Sequence, residues 1–193
     1  MKSSQKYKIT YMLFALNIIF YVYGAIVGGN AFVTGKNVID ALGQNNFLVL
    51  EHCFYYQLFT SMFMHASIIH LGGNLMFLLI FGLRAEDLFS LPEYLGIYIL
   101  GGLAGNLLTL LYGVNYVSVG ASGAIFAILG ACIIYDRTAT QKSVISALAF
   151  AFMLLLINMG ENVNVLAHVG GLAFGLVTGY VLALKHRTKN LVI

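Results

Sequence analysis

Long charge-free apolar stretches alternate along this chain with short charged ones, and the stretches have the length of helices that cross a bilayer. The first covers residues 9–28, directly after the basic start MKSSQKYK. A connection over about 29–66 follows, polar in part and rich in Gly and Asn. The second stretch, about 67–83, ends at RAED, and Ser90 with Pro92 marks the start of a third over 91–112. The fourth, 121–135, closes at YDRTATQK. The fifth covers about 143–159, and the sixth about 164–184, closed by KHRTK. This pattern predicts an all-α, six-transmembrane-helix bundle forming one membrane domain over 1–193, without a repeat or a soluble domain.

Composition agrees with that pattern. The chain is 60% hydrophobic and 9% charged, where a soluble domain carries about 25% charged residues. It has too little polar surface to cover itself in water, so the expected surroundings are the lipid bilayer. Six spans put both termini on one side. That side collects Lys2, Lys6, Lys8, Arg84, Arg137, Lys142, Lys185, Arg187 and Lys189, and the opposite loops hold only Lys36. The asymmetry predicts cytoplasmic termini, and a basic six-span core fits a prokaryotic plasma membrane. The net charge of +3 therefore follows the membrane and gives no reason to expect nucleic acid. The first stretch is too long for a signal-peptide core, so no cleavable leader is expected. Cys53 and Cys132 lack metal spacing and read as small packing residues.

The fourth stretch is short. Its roughly 15 residues rise about 22 Å against a hydrocarbon core of about 30 Å. If Asp136 marks the inner boundary, the helix begins below the outer surface, and YGVNYVSVG descends to it as irregular backbone. Such backbone is tolerated at membrane depth only when buried in protein or lining a wet cavity. Ser122, inside GASG (120–123), then lies near the floor of a recess open to water.

Other polar residues fall at that depth. Ser122 stands about 21 Å above Asp136, His70 about 21 Å above Arg84, and His168 about 25 Å above Lys185. Asn74 sits one turn below His70 on the same helix face. Unpaired polar groups are costly there, so these are expected to face one another. Gly123, Ala127 and Ala131 form a small-residue stripe on the fourth stretch, and Gly171, Gly175 and Gly179 form one on the sixth. Small residues four apart let helix backbones approach closely, within reach of a Ser122–His168 hydrogen bond. A serine beside an imidazole is an activated nucleophile. The Ser122 N–H at a helix start, with His70 and Asn74, offers donors to an oxyanion. Asp40, Glu51 and Glu161 all fall in outer loops, so the expectation is a Ser–His dyad.

Competing readings carry less. G-x-S-G arises readily by chance in a glycine-rich chain, and Ala124 breaks the G-x-S-x-G elbow. Ser122 can equally bond its own backbone, and His70 with Asn74 can be interhelical glue. Asn106 and Asn158 also lie in the outer half, so depth alone does not define a site. His65, His70 and His168 lack the H-E-x-x-H pairing of a zinc enzyme. Asp136 alone does not make an aspartyl dyad. A channel or transporter would want a repeat and polar groups continuing through the inner half.

GASG (120–123), HASIIHLGGN (65–74) and AHVGGLAFG (167–175), in this order across six spans, resemble the rhomboid family of intramembrane serine proteases. GLRAE, ending at Glu86, is similar to the family's acidic site after the second span. The resemblance implies Ser122 as nucleophile and His168 as general base. It implies His70, Asn74 and the Ser122 N–H as the oxyanion hole. It gives supporting places to His65, Gly120, Gly123, Phe126, Gly171 and Gly175. It further implies transmembrane protein substrates, no cofactor and no metal, a first connection lying in the outer leaflet, and a gate made by the fifth span with loop 160–166. The alternative within the family is a rhomboid-like protein that binds membrane segments without cutting them. The sequence departs from many members at Tyr56–Gln57, where Trp–Arg is common. It departs also at Phe126, often Tyr, which keeps a ring to stack on His168 but has no hydroxyl.

Overall fold

In the computed structural model, residues 7–140 and 163–191 are described. The fifth predicted stretch (143–159), Lys2, Lys6, Lys142, Asn158, Glu161 and the first three residues of loop 160–166 lie outside them. In chain order the elements are α1 (Lys8–Gly28), α2 (Lys36–Leu42), β1 (Gln44–Asn45), α3 (Asn46–His52) and α4 (Gln57–Thr60). Then come α5 (Ile68–Leu88), α6 (Leu91–Thr109), β2 (Val117–Ser118), α7 (Ser122–Thr140) and α8 (Val165–Leu191). The chain is an all-α polytopic membrane protein. Among the described residues, four helices are long and apolar enough to cross a membrane: α1, α5, α6 continued to Tyr112, and α8 over Val165–Arg187.

The helix ends are set by local chemistry. Gly29 takes a left-handed conformation (φ 66°) after α1 and closes it with its N–H on the Ile26 carbonyl. Ser67 caps α5, its hydroxyl accepting from the His70 N–H at 3.2 Å. At α6, Glu93 reaches back to the Ser90 backbone N–H (2.9 Å) and hydroxyl (2.7 Å). Two ends differ from expectation. α5 continues past residue 83 to Leu88, and α7 continues past Asp136 to Thr140. The reason is pairing: the Arg84 guanidinium donates to Asp136 at 2.6 Å, so the charged residues join two helices instead of ending them.

α7 is the axis of the fold, with every residue from Gly123 to Ile133 buried. On one flank it meets α8 almost backbone to backbone. A Cβ placed on Gly171, Gly175 or Gly179 would fall on the carbonyl oxygen of Gly123, Ala127 or Ala131 respectively. The two small-residue stripes therefore interlock position by position. α6 packs over this pair, with Gly105 against the Ala167 backbone.

The first connection is more ordered than its composition suggests. β1 pairs antiparallel with β2, Gln44 opposite Ser118 and Asn45 opposite Val117. Buried Gln57 accepts from the Asn45 N–H (3.0 Å) and donates to the Asp40 carbonyl (3.0 Å), while Tyr56 donates to the Ala41 carbonyl (3.1 Å). Tyr56–Gln57 thus anchors the connection by its own hydrogen bonds. Asn106 on α6 holds it from below, donating to the Leu58 carbonyl (2.7 Å) and the Ser61 hydroxyl (3.0 Å).

Charged side chains gather at the opposite end of the bundle. Glu86 accepts from the Thr10 N–H at 2.6 Å, and Glu93 meets Lys185 (3.2 Å) and His186 (3.1 Å). His186 also bonds the Tyr135 hydroxyl at 2.8 Å. The start of α1 and the end of α8 therefore share one face with Lys8, Arg84 and Arg137.

Candidate active site

Ser122 is the first residue of α7. The helix opens with the Ile125 N–H on the Ala121 carbonyl (3.0 Å), which leaves the N–H groups of Ser122, Gly123 and Ala124 without helical acceptors. The residue two before it, Gly120, has φ 135°, a conformation open to glycine and strained for other residues. Its N–H is held by the Ser61 carbonyl at 2.9 Å. A side chain there would also press on the His70 ring, 3.0 Å from Cε1 and Nε2. Gly120 is thus required twice, for its dihedral and for the approach of His70.

His168 lies on the first turn of α8, only 3% exposed. Its Nε2 stands 2.7 Å from the Ser122 Oγ, within hydrogen-bond distance. The Phe126 ring stacks on the imidazole, centroids 4.5 Å apart and planes 25° from parallel. The Gly123–Gly171 and Ala127–Gly175 contacts lie just beneath, so Gly123, Gly171 and Gly175 fix the spacing of the two helices without entering the cavity.

His70 and Asn74 face the pair from α5. They line a cavity of about 820 Å³ together with Ser122, Phe126 and His168. Below Ser122 its wall is apolar, made by Phe77, Phe81, Ile125 and Leu129. The Asn74 amide donates to the His70 carbonyl at 2.9 Å, the back-bond a polar side chain makes to the preceding turn of its helix. Its second N–H makes no hydrogen bond among the described residues. His65 lies outside the cavity wall, fully buried, its ring edge-on to His70 at 5.1 Å. Burial, and next the neighbouring His70, push the His65 imidazole down to about 3, so it is neutral. Among the described residues no cluster of three His, Cys, Asp or Glu side chains is placed to hold a metal ion.

Asn164, Ser118 and Thr109 also belong to this neighbourhood, and reading by depth passes over them. Asn164 joins Ser118 to α8 by a 2.8 Å hydrogen bond and lines the same cavity. The signal for it is an Asn immediately before an apolar helical run, a helix-start pattern.

With that geometry in place, the chain can be set beside known proteins. A family model described as the Rhomboid domain matches residues 52–185. RHOMBOID-like protein 6, mitochondrial, of Arabidopsis thaliana is 34% identical over 136 residues, covering 67% of this chain and 44% of that protein. Rhomboid protease GluP of Bacillus subtilis is 28% identical over 181 residues, 91% of this chain and 35% of GluP. Rhomboid-like protease 3 of Toxoplasma gondii is 27% identical over 167 residues, 82% of this chain and 63% of that protein. The chain thus spans less than half the length of that Arabidopsis protein and of GluP.

Proposed function

The chain belongs to the rhomboid family, and from that premise we propose that it is an intramembrane serine endopeptidase acting through Ser122 and His168. The observation that carries the proposal is the 2.7 Å approach of His168 Nε2 to Ser122 Oγ at the wall of a cavity large enough for an extended peptide segment. Two of the relatives are named as proteases.

The chemistry follows from the placement. His168 Nε2 accepts the hydroxyl proton as Ser122 Oγ attacks a peptide carbonyl carbon. The carbonyl oxygen becomes an oxyanion, met by the free Ser122 N–H at the start of α7, the His70 ring edge and the second Asn74 N–H. The imidazolium returns its proton to the leaving nitrogen as the C–N bond breaks, which leaves an acyl-serine. Water in the cavity, deprotonated by His168, hydrolyses the ester and restores the hydroxyl. No step requires a cofactor.

The substrates are transmembrane proteins. A peptide carbonyl in an intact helix is hydrogen-bonded and shielded, so segments with small or helix-breaking residues are the expected targets. The proposed domain has six spans, α7 starting at the nucleophile and the fifth being the apolar sequence stretch over about 143–159. The shared face of α1 and α8, with its basic residues, supports both termini on the cytoplasmic side. A prokaryotic plasma membrane fits that arrangement.

The test is labelling of detergent-solubilised protein by a fluorescent fluorophosphonate. Wild type is expected to label, and Ser122→Ala and His168→Ala are not. Equal labelling of Ser122→Ala would place the reactive group elsewhere. A folded wild type that does not label would favour the rhomboid-like binder that does not cut.

A further inference from the structure

Resting on the dyad reading above, we propose that Asn164 is a positioning residue for it: one carboxamide sets the helical turn that carries His168 and ties that turn to the segment ending in Ser122. Its carboxamide makes three hydrogen bonds, with both N–H groups in use. Oδ1 accepts from the Ala167 N–H at 2.9 Å, the side-chain cap of α8. Nδ2 donates to the Thr109 Oγ1 at 2.7 Å and to the Ser118 Oγ at 2.8 Å. The Asn164 carbonyl in addition accepts the His168 N–H at 3.3 Å. The residue before His168 and His168 itself are therefore both fixed by Asn164.

This matters more here than in a triad. A catalytic imidazole is ordinarily oriented by a partner on its second nitrogen. Among the described residues His168 Nδ1 has no hydrogen-bond partner. What aims Nε2 at Ser122 is the Phe126 stack and the phase of the first turn of α8. Asn164 controls that phase. On the other side, Ser118 is four residues before Ser122, and the intervening Gly120 is pinned to Ser61. The Ser118 bond therefore references the turn bearing the base to the strand that delivers the nucleophile.

The chemistry asks for an amide. Thr109 spends its hydroxyl proton on the Gly105 carbonyl at 3.0 Å, so its oxygen can only accept from residue 164. An aspartate keeps the cap and can accept from the Ser118 hydroxyl, but it meets the Thr109 oxygen with no proton between them. An alanine loses all three side-chain bonds.

The full chain in detergent, treated with a fluorophosphonate at varied concentration, yields kinact and KI separately. Melting temperature is measured on the same samples. Asn164→Ala is expected to lower kinact roughly 10- to 100-fold with KI near wild type, because misplacement at a reacting centre is that costly. Asn164→Asp should recover part of the loss. Ser118→Ala, with the cap intact, should lose less than Asn164→Ala and still fall below wild type. Asn164→Ala with wild-type kinact and only a lower melting temperature would reduce Asn164 to a stabilising cap and overturn the proposal. If Asn164→Ala does not fold, Ser118→Ala decides, and an unchanged kinact there overturns it as well. A folded wild type that never labels overturns the dyad reading itself, and this proposal with it; a labelling wild type with unaffected variants overturns this proposal alone.

Discussion

The two flanks of α7 are built on opposite terms. Toward α8 the helix has no side chains to spare: glycines and alanines interlock, and backbone meets backbone from Gly123 to Ala131. Toward α5 it presents Ile125, Phe126 and Leu129 to a cavity of about 820 Å³, with Phe77 and Phe81 across it. In a membrane, apolar side chains gain little by leaving lipid for protein, so close association must come from backbone approach and polar contacts. The α8 flank uses that approach, and it is the flank that joins Ser122 to His168. The α5 flank forgoes it and leaves room for a second chain. Rigidity and access are thus separated onto two sides of one helix.

The largest break in this contrast should come from one methyl group. Gly171→Ala would set its Cβ on the Gly123 carbonyl oxygen, one residue from Ser122. Neither partner is a flexible side-chain tip, so the helices must part. We expect a loss of about 1–3 kcal/mol in stability, as overpacking ordinarily costs. On the proposed function, the folded fraction should label with fluorophosphonate on the order of 100-fold more slowly, since Ser122 and His168 separate with the helices. Thermal unfolding and labelling on the same sample check both. A variant that is destabilised yet labels at the wild-type rate would show that the interlock does not hold the dyad.

That interlock was legible in the sequence because it is one-dimensional. Stripes four residues apart and matched distances from Asp136, Arg84 and Lys185 name the facing residues without coordinates. What the sequence concealed depends on partners far along the chain. By sequence Asp136 marks the end of the fourth stretch; in the structure it is the acceptor for Arg84, 52 residues away, and the helix continues. By sequence Asn106 is one more polar residue in the outer half; its partners lie in the first connection, on Leu58 and Ser61. The turn of the Asn74 amide toward its own helix is likewise a choice of rotamer that spacing cannot reveal. Asn164 left a faint local trace as a helix start, but its second role exists only once Thr109 and Ser118 are beside it.

A smaller effect sharpens the boundary between the flanks. Phe126 belongs to α7 and lines the cavity, yet its ring is spent on His168 from below. Phe126→Leu keeps an apolar side chain of similar reach and removes the stack. Such contacts contribute about 0.5–1.5 kcal/mol, so kinact for fluorophosphonate should fall roughly 3- to 10-fold with little change in melting temperature. Phe126→Tyr retains the ring and should label within about twofold of wild type on the same reasoning. If Phe126→Leu labels as wild type does, the ring only fills space and the first turn of α8 alone aims the base.

The smallest effect is the mirror of the first. Gly72 lies on α5, exposed, and a Cβ there meets no described atom within 4 Å. The same substitution that parts α7 from α8 should therefore be accepted on α5. Glycine inside a helix is less stable than alanine by about 0.5–1 kcal/mol, so Gly72→Ala should leave labelling unchanged and melt at or slightly above the wild-type temperature. Because Gly72 is only two residues from His70, a loss of labelling here would mean that α5 must be closely packed or must bend at this glycine for the site to work. In that case the α5 flank is no simple opening, and the separation of rigidity from access fails on the side where it is easiest to disturb.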